Sequence, residues 1–169
     1  MPRNSKTYGS RTASRTASRS ALERISAASF FLSRESPERS KHSVPICLLS
    51  HEYAACQDVG QAVAKAVREA ATRALLVAST DMSHFISREE ATAKDRKAID
   101  AILALDAEGL HRVVRREGIS MCGFHPTTAM LVAAKALGAT RGDLVMYTDS
   151  GEVTRDLQEV VAYAGLVLR

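Results

Sequence analysis

From Val44 to the C-terminus, apolar residues switch repeatedly between short continuous runs and a three-to-four-residue spacing, which is how a chain of alternating strands and helices reads. Residues 43–49 (SVPICLL) form a strand-sized apolar run. Over residues 58–72, Val59, Ala62, Val63, Ala66, Val67 and Ala70 fall at helical spacing, with Lys65, Arg68 and Glu69 among the polar positions. Residues 74–79 (ALLVAS) are continuously apolar up to the final serine, as expected of a strand covered on both faces at the centre of a sheet. Ser87, followed by Glu89 and Glu90, starts a helix that runs to about Leu103. Asp106 caps another that stops at Gly118, and Pro126 fits the first position of a helix ending near Gly138. Strands are predicted over 144–148 and 159–168, with Asp149, Ser150 and Gly151 turning the chain between them. This order predicts an α/β fold, a largely parallel or mixed sheet flanked by helices.

The 169 residues, 46% hydrophobic, suffice for one domain with a substantial core. No apolar run approaches the roughly 18–20 residues needed to cross a bilayer, so a membrane-spanning chain is not expected. Three cysteines, Cys47, Cys56 and Cys122, are too few for a cystine scaffold, so free thiols and a reducing cytoplasm are expected. The net charge of +4 suggests a nucleic-acid partner only if the folded part carries it. Nine Lys or Arg and three Glu lie within residues 1–43, which leaves the rest of the chain at −2, so no nucleic acid is expected as a partner.

Residues 10–21 repeat SRTA, SRTA, SRSA, and eleven serines fall within residues 1–43. Such a segment buries too little apolar surface to offset its ordering entropy, so 1–43 reads as a disordered basic tail and 44–169 as the domain. An organelle transit peptide, a solvated arm, and a stretch foreign to the domain from a wrong start or shifted frame all fit the tail; the last is favoured. A short amphipathic helix over 21–32 is the one local element expected there.

The strand at 74–79 runs into Ser79-Thr80-Asp81-Met82-Ser83-His84. Ligands of open α/β sheets collect beyond the carboxyl ends of strands, so Asp81 can orient His84, or each can reach a metal or a substrate proton. The bland alternative is that Asp81 bonds its own loop backbone and His84 is a loop residue. Cys122-Gly123-Phe124-His125-Pro126 enters a helix N-terminus, where a thiolate is favoured and Gly123 admits a ligand close to the backbone. Against this, Cys122 is equally readable as an inert buried thiol and His125 as a helix cap. His51 and Cys56 lack a second ligand pair for zinc, and His111, among Arg112, Arg115 and Arg116, reads as part of a solvated basic face. No Gly-rich phosphate loop or nucleophile elbow is present, which removes the common nucleotide and hydrolase readings.

Taken together, LLVASTDMSHF (75–85), SMCGFHPTTAML (120–131) and YTDSGEVTRDLQEVVAYAGLVL (147–168) resemble the MEMO family, the prokaryotic AmmeMemoRadiSam system protein B, over about residues 44–169. The resemblance implies a fold similar to class III extradiol dioxygenases, whose cleft holds two histidines from an N-terminal half, a cysteine and an Asp-x-x-His pair. It implies a metal ligand at Cys122, with Asp81 and His84 supporting it or acting as acid and base, and iron or copper as the ion. It also implies association with a radical SAM protein and an AMMECR-type protein. Where the family carries its N-terminal half, this sequence has the SRTA tail, and His42 lacks the residues that should follow a ligand histidine. The expectation is therefore a truncated protein, with an incomplete metal-dependent redox cleft. The alternative is a non-catalytic domain that binds a peptide or small molecule.

Overall fold

The computed structural model describes residues 30–34, 42–71 and 73–169. In chain order the elements are β1 (Phe30–Arg34), β2 (His42–Ile46), α1 (Tyr53–Ala70), β3 (Ala74–Ala78), β4 (His84–Ile86), α2 (Arg88–Leu103), α3 (Ala107–Glu117), α4 (Phe124–Ala136), β5 (Gly142–Asp149), α5 (Gly151–Thr154) and β6 (Val160–Leu168). The predicted α/β class holds. The pairing is a correction: the strands form two three-stranded sheets, ordered β2-β1-β3 and β4-β6-β5, and every pair among the described residues is antiparallel. The βαβ reading survives in a different form. Because β2 and β3 are each antiparallel to β1, they run parallel to one another, joined by α1 across the intervening strand. Periodicity marks strands and crossovers but carries no information about a strand inserted between them.

That inserted strand, β1, lies within the stretch read as tail, and its residues Phe30, Phe31 and Leu32 were expected to end a helix. Consecutive aromatic and branched residues favour a pleated chain, and here β1 finds a partner on each side. The remainder of the expected helix, and the SRTA repeat, lie outside the described residues.

Local signals placed α2 and α3, whereas α1 starts at Tyr53, five residues before the expected 58. Ser87 Oγ accepts the Glu90 N–H at 3.2 Å, Asp106 Oδ1 accepts the Gly109 N–H at 2.8 Å, and Gly118 ends α3 at φ +61°, where a side chain would be strained. α4 begins two residues earlier than expected, at Phe124, making Pro126 its third residue. The missing N–H costs nothing there either, because Thr127 is the first residue whose N–H reaches back, to the Gly123 carbonyl. After β5 the expected turn is completed by the short α5, with Asp149 Oδ1 accepting the Gly151 N–H at 2.8 Å.

The main core packs α2, α3 and α4 with β6 around Ile99, Leu110, Leu131 and Val160, none more than 2% exposed. Burying each large side chain contributes roughly 1.5–3 kcal/mol. A smaller cluster, Val63, Ala64 and Ala133, joins α1 to α4. These two helices approach so closely at Gly60 that a Cβ there would lie 2.5 Å from the Ala129 carbonyl oxygen. Between β3, α4 and β6 lies a mostly apolar cavity of about 580 Å³, lined at one end by Thr80, Met82 and Met121. Among the described residues no helix is long and apolar enough to cross a membrane.

Candidate metal centre

The chain leaves β3 at Ala78, passes through Ser79–Ser83 as a loop, and re-enters extended structure as β4 at His84. β4 pairs with β6 through a register shift between His84 and Ile86, and Phe85 sits at φ +55° inside it. An irregularity of this kind re-aims the flanking side chain. The His84 N–H donates to Ser120 Oγ at 2.7 Å, tying β4 to the loop that carries Cys122.

Behind this loop stands Asp95 of α2, wholly buried, whose carboxylate accepts the Ser83 N–H at 3.1 Å, the Ser83 hydroxyl at 2.7 Å and the Tyr147 hydroxyl at 2.8 Å. Burial, then the bond to Asp95, pushes the Tyr147 phenol well above its ordinary range, which keeps that donor protonated. Asp95 thereby fixes the residue that precedes His84. In sequence it is one acidic residue among several on α2, with no local feature to mark it.

Cys122 is brought to the same place from the other side. Asp81 N–H donates to its Sγ at 3.3 Å, and Thr80 Oγ1 lies 3.7 Å from it. Gly123 N–H donates to Thr80 Oγ1 at 2.8 Å. A Cβ on Gly123 would sit 2.5 Å from Thr80 Cβ and 2.6 Å from the Ser79 carbonyl oxygen, so the glycine serves the contact between two loops, where the sequence had suggested room for a ligand.

Three of the sequence candidates therefore converge. One donor atom each from Asp81, His84 and Cys122 lies within 4.8 Å of the others. His84 Nε2 and Asp81 Oδ2 are 3.6 Å apart, beyond hydrogen-bond length, so the pair faces a shared space. Cys122 is exposed, against the inert-core alternative. Donors on one first-row ion stand about 3–4 Å apart, a spacing that Asp81 and His84 already have, and the Cys122 donor lies within 4.8 Å of both. Thiolate, imidazole and carboxylate together fit iron, copper or zinc better than calcium or magnesium.

Two other histidines are corrected. His111, expected on a solvated face, is 8% exposed and packs beside Tyr53 and Phe124. Its helix turns inward because Leu110 and Val114 are core residues and His111 shares their flank. His125 makes no capping bond; it is the second residue of α4 and is buried. Cys47, Cys56 and Cys122 are free thiols, and burial pushes that of Cys56 up to about 11.

An α/β scaffold presenting an Asp-x-x-His loop against a Cys-Gly helix entry defines the class of protein. Residues 25–167 match the family model described as Memo-like protein, and the chain belongs to that family. It is 41% identical over 126 residues to a MEMO1 family protein of Methanopyrus kandleri, and 42% over 126 residues to one of Methanococcus maripaludis; each match covers 75% of this chain and 44% of the relative. A MEMO1 family protein of Methanosarcina acetivorans is 38% identical over 125 residues, covering 74% of this chain and 47% of the relative. The chain thus spans less than half the length of these relatives. The family match begins at residue 25, inside the segment read from composition as tail.

Proposed function

We propose that Asp81, His84 and Cys122 are part of a metal-dependent redox cleft related to that of extradiol dioxygenases, in a protein of the kind called AmmeMemoRadiSam system protein B. The observation that carries this reading is the convergence of three different donor types, from the segment between β3 and β4, the start of β4 and the loop before α4, within 4.8 Å of one another. Cys122 and His84 would hold iron or copper, which supplies a one-electron redox centre when bound. Asp81, half exposed beside His84 Nε2, would orient that ring or hold a substrate proton. The Asp81 N–H fixes the sulfur, and Ser120 fixes the backbone of His84, so neither loop moves independently. With one thiolate and one imidazole as its strongest donors, the chain alone should bind metal weakly and have little activity. A radical SAM protein and an AMMECR-type protein are the partners proposed from the family association, with the cytoplasm as the compartment.

Anaerobic titration with Fe²⁺ and with Cu⁺, on the wild type beside Cys122→Ser and His84→Ala, tests the assignment. Weak binding, lost in either variant, is expected. Tight stoichiometric binding unchanged in Cys122→Ser would place the metal elsewhere.

The cavity of about 580 Å³ favours a second reading, a small-molecule or peptide binding domain. It is lined mainly by apolar residues and reaches the same loops through Thr80 and Met121. Binding of an apolar ligand that is equal with and without metal, and reduced by Met121→Lys, would support it.

A further inference from the structure

Away from this cleft, three histidines from three segments gather beside the start of α4: His51 from the loop before α1, His111 from α3, and His125 from α4. The ring centroids of His51 and His125 are 5.0 Å apart, and those of His111 and His125 are 5.8 Å apart. His125 is 8% exposed, and its Nε2 has no hydrogen-bond partner. Leaving such an atom buried and unpaired costs about 1–3 kcal/mol.

We propose that His51, His111 and His125 form a second metal site, one that takes a late first-row divalent ion such as Zn²⁺. Two imidazoles on one tetrahedral ion, with metal–nitrogen bonds of about 2 Å, have ring centroids about 5 Å apart, which is close to the spacing observed. His111 is already set for ligation. Its Nε2 lies 3.1 Å from the His51 carbonyl oxygen, which can only accept, so Nε2 is the donor there and Nδ1 is the ring atom left to ligate. Metal-bound histidines typically donate their other ring nitrogen in this way. His125 offers Nε2, which is buried without a hydrogen-bond partner beside the other two rings.

Among the described residues only the Asp81, His84 and Cys122 trio already has all donors within 4.8 Å; the three imidazoles need side-chain rotation to bring their donors together, and the His51 side chain is exposed. Arg115 opposes a cation here, although its Nη1 is engaged with the His51 carbonyl at 3.1 Å. An all-imidazole donor set selects zinc, copper, nickel or cobalt over calcium and magnesium.

The test uses the full chain carrying Cys122→Ser and His84→Ala, which silences the first cleft. Zn²⁺ is titrated in competition with a chromophoric chelator, and Co²⁺ is followed by absorption. One equivalent should bind, and the cobalt spectrum should show ligand-field bands without a thiolate charge-transfer band. His51→Ala, on an exposed loop, should weaken binding at least tenfold without changing the metal-free Tm, His125→Asn should weaken it similarly, and Arg115→Gln should tighten it. Absence of stoichiometric binding in the silenced background, or binding indifferent to His51→Ala, would overturn the proposal. The cysteine cleft is read separately, from a thiolate band in the wild type.

Discussion

At the scale of single residues, His125 carries the clearest pH consequence. Its imidazole is near 6.5 when unfolded and about 4 when folded, so below 6.5 the unfolded chain binds a proton that the folded one refuses. Stability should therefore be full above 6.5 and fall as the pH drops toward 4, by at most about 3 kcal/mol. Urea denaturation across this range checks it, and His125→Phe should flatten the slope. Gly123 is constrained in a different way. With Thr80 Cβ 2.5 Å from the position of a new methyl, Gly123→Ala must push the two loops apart, at a cost of about 1–3 kcal/mol. A fall in Tm accompanied by faster reaction of Cys122 with a thiol reagent is the expected result, since the Asp81 N–H would no longer reach the sulfur.

Between elements, Asp95 joins α2 to both β5 and the loop that carries His84. Asp95→Ala leaves the Ser83 N–H and hydroxyl and the Tyr147 hydroxyl without their acceptor, so a loss of about 2–4 kcal/mol is expected in chemical denaturation. The site should be lost before the fold is, and metal binding at Cys122 is the measurement that separates the two. Exposed ion pairs such as Lys65 with Glu69 contribute little by comparison, and Lys65→Ala should leave the midpoint within about 0.5 kcal/mol of wild type. A larger loss would show that this surface does more than solvate α1.

Over the whole molecule, one ionic contact holds the start of α2 to the end of β5. Arg88 donates to both Asp149 oxygens, at 2.7 and 2.8 Å, and also to Glu152 Oε1 at 2.7 Å. The Arg88 bond, then that from the Gly151 N–H, holds the Asp149 carboxyl below its ordinary range. A depressed carboxyl gives stability that is complete above the unfolded value near 3.8 and is lost as pH falls through the lower folded value. The acid limb should therefore have two stages, His125 first and Asp149 below it. Arg88→Met should shrink or remove the lower stage, because the folded Asp149 carboxyl then moves back toward its unfolded value, and leave the upper one in place; a lower stage of unchanged size would show that Asp149 does not depend on Arg88.

Information confined to a few neighbouring residues was enough to fix the boundaries of α2 and α3, though not the starts of α1 and α4. Ser87, Asp106 and Gly118 act through hydrogen bonds and dihedral preferences within one turn; the 3.6-residue spacing in α1 finds Val63, with Val59 and Val67 partly buried, but Ala62, Ala66 and Ala70 are exposed, and Cys56, Gly60 and Ala64 take the buried side because α4 packs there. Asp81, His84 and Cys122 were legible for a related reason: a strand end and a helix start are local features, and ligands gather at both. Which strand lies beside which was not legible, because β1 pairs with β2 and β3 through backbone groups that every residue possesses. The inward turn of His111, the burial of His125 and the acceptor role of Asp95 were equally hidden. Each depends on a partner 12 or more residues away, so only the tertiary structure, by deciding which polar groups lose water together, could assign them.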